Sequence, residues 1–471
     1  MIGRYVLLLL LTAATASAQQ SQSAAPVPGF VARVPSPAGH GVVAPPSSAG
    51  PAPAVPHASQ SEEGAAQPES STPTQVLTLD AVLGEVRSQN PAITAAQRTV
   101  EAQRRRVLQS GALPDPTVSV SYMGDATPFK TMPDDPSSYR GISAMQTIPL
   151  GGKRGLQREM ASKEVSASEA DRLAVVRRLT AEAKAAFYDY FYYDKALDIT
   201  NRNKARLEQL ADISEARYKV GKTMQADVLR AHVEVTMLLQ RAITLEQQRE
   251  TAAARLNTLM GRAPDASLPP AADVAKEPLP AMSELATLAR TNDPMLQKEQ
   301  SMIERNKVAI AMARKEYIPD LSVGYMYQQR SGMPDMKGMQ FQVNIPVFNR
   351  SKREAIEAAK LELASSEKSL DARKLELQYE VKQMHAMAVN ADKMLDLYYK
   401  AIIPQAQLAL ESAQSSYTVG ANDFLTVVTN FTTINSYQID YYRQLADYET
   451  ALARLEALTG DLAQVSTEAS Q

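Results

Sequence analysis

Ala216-Arg217-Tyr218-Lys219-Val220-Gly221 and Ser416-Tyr417-Thr418-Val419-Gly420 are two versions of one stretch, each set between long runs of helix-forming residues. The helical pattern after the first ends at Ala254-Arg255-Leu256-Asn257-Thr258-Leu259-Met260-Gly261, and that after the second at Ala453-Arg454-Leu455-Glu456-Ala457-Leu458-Thr459-Gly460. The same 199-residue spacing separates Tyr218 from Tyr417 and Arg255 from Arg454. Two copies in register over about forty residues are an internal repeat, and the repeat decides the fold. A helix reversal needs a residue tolerant of left-handed backbone, which glycine supplies at 221 and 420.

Upstream of the first reversal the helical pattern reaches back to Gly152, about 67 residues or roughly 100 Å of helix. Before it, Thr117-Val118-Ser119-Val120-Ser121-Tyr122 alternates strictly, which predicts a strand, and a weaker strand follows over 141–148. The second half repeats the plan. Pro319-Asp320 introduces Leu321, Val323, Tyr325 and Tyr327 on one face with Ser322, Gly324 and Gln328 on the other. Phe341, Val343 and Ile345 then alternate with Gln340, Gln342 and Asn344. Asn90-Pro91 and Asn292-Asp293-Pro294 break an earlier helix in both halves.

The expected layout is therefore a first repeat over 76–270, with a helix, a β-hairpin at 117–148 and a long helical hairpin. A second repeat over 271–465 carries its β-hairpin at 320–347, and 466–471 is a tail. Residues 1–18 read as a secretory signal peptide, with Arg4, a short apolar run and Ala16-Ser17-Ala18. Residues 19–75, rich in Pro, Ala, Ser and Gly without hydrophobic period, read as disordered.

Val228, Ala231, Val235, Leu238, Ala242, Leu245, Ala252, Leu256 and Leu259 fit heptad positions in the first returning helix. The same frame in the second gives Val427, Ile434, Tyr441, Tyr448, Leu455 and Leu458 but also Asn430 and Gln444. That more polar seam predicts a second hairpin facing water or a channel over more of its surface. The aromatic run Phe187-Tyr188-Asp189-Tyr190-Phe191-Tyr192-Tyr193 is expected to be a packing belt between helices.

With 50 Lys+Arg against 52 Asp+Glu, a net charge of −2 offers no global attraction for nucleic acid. The absence of Cys excludes disulfides, thiol nucleophiles and an acylated N-terminal Cys. No HExxH, GxSxG or EF-hand pattern occurs, and Gly151-Gly152-Lys153-Arg154 lacks the spacing of a phosphate loop, so it reads as a strand-to-helix turn. No catalytic, cofactor-binding or metal residue is assigned, and the chain is not expected to be an enzyme. Met326, Met333, Met336 and Met339 cluster on the second hairpin, and Met123, Met132 and Met145 on the first. Thioethers suit Cu(I) and Ag(I), yet methionine also fills irregular gaps, and packing is the reading adopted here.

Strands of about ten residues with an apolar, tyrosine-bearing face and a polar face fit a membrane barrel. Four strands cannot close alone in a bilayer, so several chains would share one barrel. The Asn-Pro breaks, the Pro-Asp before the strands, Ile148-Pro149-Leu150 and Ile345-Pro346-Val347-Phe348, the Tyr-x-Val-Gly reversals and the Ala-Arg-Leu endings occur in order, twice. On these residues the chain resembles the TolC-type outer-membrane efflux proteins over 77–462. The resemblance implies a mainly α fold with a small β part: a homotrimer with a shared twelve-stranded barrel in outer-membrane lipid and a coiled-coil tunnel in the periplasm. It implies the outer-membrane channel of a tripartite efflux pump, partnered by a periplasmic adaptor (membrane fusion) protein and an RND-type inner-membrane pump. Such a channel is a passive duct for drugs or heavy-metal ions. The alternative within the class is type I protein or peptide secretion, and the rival outside it is a coiled-coil surface protein.

Carried over residue by residue, the adaptor-docking tips would be Tyr218, Val220 and Gly221, and Tyr417, Val419 and Gly420. The family's best-known members close the tunnel with aspartates six and nine residues after the second tip glycine. Here those positions are Thr426 and Thr429, so Asp423 and Phe424 join them as candidates for the pore constriction.

Overall fold

The computed structural model describes residues 76–125 and 129–460, so the expected signal peptide, Pro-rich segment and tail lie outside the described residues. Helices α1 (Leu79–Gln89) and α2 (Pro91–Ser110) lead to strands β1 (Thr117–Met123) and β2 (Tyr139–Ile148), then to α3 (Lys153–Lys219) and α4 (Gln225–Met260). The order recurs as α5 (Met282–Asn292), α6 (Pro294–Lys315), β3 (Asp320–Gln329), β4 (Met336–Asn344), α7 (Asn349–Leu397), α8 (Ile403–Thr418) and α9 (Phe424–Thr459). The four strands form one antiparallel sheet in the order β1-β2-β3-β4.

The Asn-Pro breaks are helix junctions with a defined chemistry. Asn90 accepts the Ala92 N–H through its side-chain oxygen at 2.9 Å, capping α2, and its amide donates to the Leu259 carbonyl at 2.8 Å. Pro91 at the first helical position loses nothing, because that N–H has no intrahelical partner. In the second half two residues divide this work. Asp293 caps α6 through the Leu296 N–H at 2.7 Å, and Asn292 reaches the Thr459 carbonyl at 2.9 Å. Asp293 is buried, and Arg373 of α7 answers its charge at 2.8 Å.

Helix α3 is 67 residues long and changes its mode of packing along its length. At its waist Phe187, Tyr188, Tyr190 and Phe191 are all buried, so the helix is surrounded there, and the aromatic run packs as expected. Towards the tip the buried residues thin to Ala196, Ile199, Thr200, Asn203, Leu207, Ala211 and Ser214, the three-and-four spacing of a one-sided coiled-coil stripe. Within that stripe Asn203 donates to Asn435 of α9 at 2.7 Å, both side chains being buried.

The segment joining the halves straps the waist. Leu77 exchanges backbone hydrogen bonds with it, donating to Pro270 at 2.8 Å and accepting from Ala272 at 2.9 Å. The Tyr448 hydroxyl donates to the Glu277 carbonyl at 2.6 Å, and the Glu277 N–H donates to the Glu449 carboxylate at 3.0 Å. Glu449 is buried, and burial pushes its carboxyl up to about 7.

The returning helices differ from the expectation drawn from their seams, although α7 and α8 of the second hairpin are largely exposed. Phe424, Val427, Val428, Phe431, Ile439, Tyr448, Leu452 and Leu455 of α9 are all inside, because α9 packs on both α3 and α7. Of the two returning helices α4 is the exposed one, with Leu229, Val233, Met237 and Ile243 on its surface. Ile345 lies beyond β4, which ends at Asn344, since Pro346 has no N–H to extend the ladder. A π-helical turn at Tyr398–Ile402 separates α7 from α8 just before Pro404. A proline there removes one helical donor and crowds the preceding turn, and the wider turn relieves both.

Candidate docking tips and channel face

Each helical hairpin ends in the same hydrogen-bonded cap. Gly221 (φ 70°) donates to the Tyr218 carbonyl at 2.9 Å and Lys222 to the Arg217 carbonyl at 2.9 Å. Gly420 (φ 76°) donates to Tyr417 at 3.1 Å and Ala421 to Ser416 at 2.9 Å. This pairing of short and long reverse bonds is the Schellman arrangement, and it needs left-handed backbone at the glycine. It leaves the residue before each glycine pointing outward: Val220 is 67% exposed and Val419 80%. Two apolar side chains at helix ends, with none of the described residues over them, suit contact with another protein.

The tips are not equivalent. Arg217 of the first lies over the Tyr417 ring of the second, 4.6 Å from its centroid, and donates to the Tyr417 carbonyl at 3.4 Å. Tyr417 is thereby half-buried, whereas Tyr218 is exposed. Tyr417 also packs on Phe424, with ring centroids 5.4 Å apart. Arg217 is a residue that sequence reasoning missed, although it precedes Tyr218 where the second tip has Ser416.

Of the four constriction candidates, Phe424 is corrected. Its side chain is 1% exposed, enclosed by Leu207, Ala211, Ala231, Leu238, Val428 and Phe431, and it cannot narrow a passage from there. Asp423 is exposed and caps α9, accepting the Leu425 N–H at 2.7 Å through one carboxylate oxygen. Thr426 is half-buried and Thr429 exposed. In the first hairpin Asp227 accepts a hydrogen bond from the Thr223 hydroxyl.

Strand register fixes the two faces of the sheet. Val118, Ala144, Tyr325 and Met339 form one cross-strand row, and Gln146, Val323 and Phe341 another, on the largely apolar face. Thr117, Met145, Gly324 and Gln340 form a row on the opposite face, with Ser119, Ser143, Met326 and Gly338 beside it. The sheet is anchored to the helices by Lys153, whose buried ammonium donates to Asp320 at 2.9 Å. Arg154 adds a bond to the Gly111 carbonyl at 2.8 Å. The Gly-Gly-Lys-Arg turn is thus the joint between β2 and α3. Among the described residues no helix is long and apolar enough to cross a membrane.

The family described as outer membrane efflux protein matches residues 82–262 and 285–461. OpmQ, a pyoverdine export outer membrane protein of Pseudomonas putida, is 23% identical over 384 residues, 79% of this chain and 78% of OpmQ. Among solved structures, that of CusC aligns with a TM-score of 0.69 at 16% identity, covering 81% of this chain and 92% of that one. The open state of the MtrE outer membrane channel of Neisseria gonorrhoeae aligns at 0.67 with 18% identity, covering 81% and 89%. At such identities the structures speak for the fold, and the family match, which spans both halves, speaks for kinship. A repeated long helical hairpin on a four-stranded sheet, matched over most of its length, makes this chain a member of the outer membrane efflux protein family.

Proposed function

We propose that this chain is the exit duct of a tripartite export system, carrying small toxic compounds from a periplasmic adaptor and an RND-type inner-membrane pump to the exterior. The observation that carries the reading is the matched pair of capped reversals with outward valines at 220 and 419, a rigid apolar docking edge. Permeation asks nothing of the chain beyond a passage. A polar sheet face rich in Ser, Thr and Gln wets the barrel interior, and the pump supplies the energy. Docking would use Val220 and Val419 with main chain at Gly221 and Gly420, while Asp423, Thr426 and Thr429 stand near the opening. The name of OpmQ extends the substrate range to be tested to secreted iron chelators.

The test is a growth-inhibition panel on a strain lacking the gene, covering dyes, detergents, antibiotics and copper, silver, zinc and cobalt salts, with assay of secreted chelator. Sensitivity to at least one class, reversed by the gene on a plasmid, is expected. Secretion of a protein lost with the gene, and no change in any tolerance, would overturn the reading in favour of protein export.

A further inference from the structure

The strand register places three thioethers in one diagonal across the polar face. Met145 of β2 pairs with Gly324 of β3, Met326 of β3 pairs with Ser143 of β2 and Gly338 of β4, and Met336 of β4 pairs with Gln328 of β3. From each methionine to the next is one strand across and two residues along. Diagonal neighbours on one face have Cβ atoms about 7–8 Å apart, within reach of long side chains. A glycine lies beside each of the first two, Gly324 beside Met145 and Gly338 beside Met326. A Cβ at position 338 would stand 3.4 Å from Met326 Sδ and 3.2 Å from its Cγ, and one at 324 would stand 3.5 Å from Met145 Cβ. The thioether of Met326 therefore lies over the bare backbone of Gly338. Met123, at the polar-face end of β1, stands one row beyond Met336 on the opposite edge of the sheet.

Packing does not account for this diagonal. The companions of these methionines on the same face are Thr117, Ser119, Ser143, Gln328 and Gln340, hydroxyls and amides that give an apolar side chain no core to fill. Met339, on the apolar face beside Tyr325, is where hydrophobicity alone would put one. The donor chemistry is selective. The sequence has no cysteine, and among the described residues no group of three or more His, Asp or Glu could hold a metal ion. Neutral thioethers are soft ligands, suited to Cu(I) and Ag(I) and poor for Zn(II) or Co(II). Because they add no negative charge, they hold an ion loosely enough to release it, as conduction requires.

We propose that Met145, Met326 and Met336 form a thioether path that passes soft monovalent ions, Cu(I) or Ag(I), along the polar face of the barrel. The proposal rests on the exit-duct reading, which makes that face the channel wall. The test uses the full-length protein purified in detergent, with Ag(I) as probe, and the variant Met145→Leu/Met326→Leu/Met336→Leu, which keeps side-chain volume. Wild type should bind Ag(I) with sulfur neighbours in X-ray absorption, and the triple variant should bind about tenfold or more weakly. Met339→Leu should bind as wild type does. In cells the triple variant should lose silver tolerance while keeping tolerance to a lipophilic dye. Equal Ag(I) binding by wild type and triple variant, or equal silver tolerance, would overturn the path. A deletion strain with no tolerance defect of any kind would refute the exit duct instead, and Ag(I) binding to the purified protein would still decide the thioether site.

Discussion

Glu449 is a carboxyl held where a charge is costly, since burial outweighs the attraction of Lys184 and Lys276. Its raised pKa, from 4.5 to about 7, means that the folded state binds the proton more tightly than the unfolded chain does. Stability is therefore greatest below about 4.5, falls as pH climbs towards 7, and is level above it, an effect of order a few kcal/mol. Glu449→Gln keeps an acceptor for the Glu277 N–H and removes the charge. Its unfolding temperature should exceed that of wild type at pH 8 and match it at pH 5, in thermal scans of the detergent-solubilised protein. Asp423 poses the opposite case, an exposed carboxylate that caps a helix. Asp423→Asn preserves the cap, because asparagine accepts the same N–H, and discards the charge. A lower cation-to-anion permeability ratio in planar bilayers is expected, and an unchanged ratio would remove Asp423 from the passage wall.

A helical hairpin can dock only if its reversal is stiff, and the two Schellman caps supply that stiffness by satisfying the last carbonyls of α3 and α8. Val220→Glu with Val419→Glu alters only the outward side chains. Adaptor co-purification and compound tolerance should both be lost, while the protein still runs as an oligomer on mild gels; retained co-purification would place the docking edge elsewhere. These reversals were legible in the sequence because glycine at 221 and 420, at a fixed spacing, has few other reasons to recur. The hairpins and strands were legible for the same kind of reason, since periods of two and of three-to-four are written locally. Phe424 was not, because whether an aromatic one residue past a cap turns outward depends on which neighbour the helix meets. The burial of α9 was misjudged likewise: one heptad frame describes one seam, and a helix between α3 and α7 has two. The diagonal of Met145, Met326 and Met336 depends on register across three strands, which neither hairpin specifies alone.

The described chain leaves two kinds of surface open. Strands β1 and β4 each have one unpaired edge, and α4 and α7 display apolar residues, Leu229, Val233 and Ile243 on one and Leu361, Leu375 and Tyr379 on the other. An open edge cannot persist in hydrocarbon, where every backbone donor and acceptor must find a partner. Among the described residues the other open strand edge is that of β4, so the cheapest closure is a ring of copies joined β4 to β1. Each copy then contributes four strands, and three copies give the twelve expected. The lack of native cysteine makes this directly measurable. Cysteines at Thr117, Ser119 or Ser121 on β1, combined with Gln340 or Gln342 on β4, all project from the polar face. Some combination should place its sulfurs at bonding distance across the seam. Oxidation of such a double variant should yield a covalent trimer on denaturing gels, with each single variant remaining monomeric. Monomer from every combination would refute the β4-to-β1 seam, and a ladder extending past three chains would refute trimeric closure, because a ring that closes at three leaves no edge for a fourth.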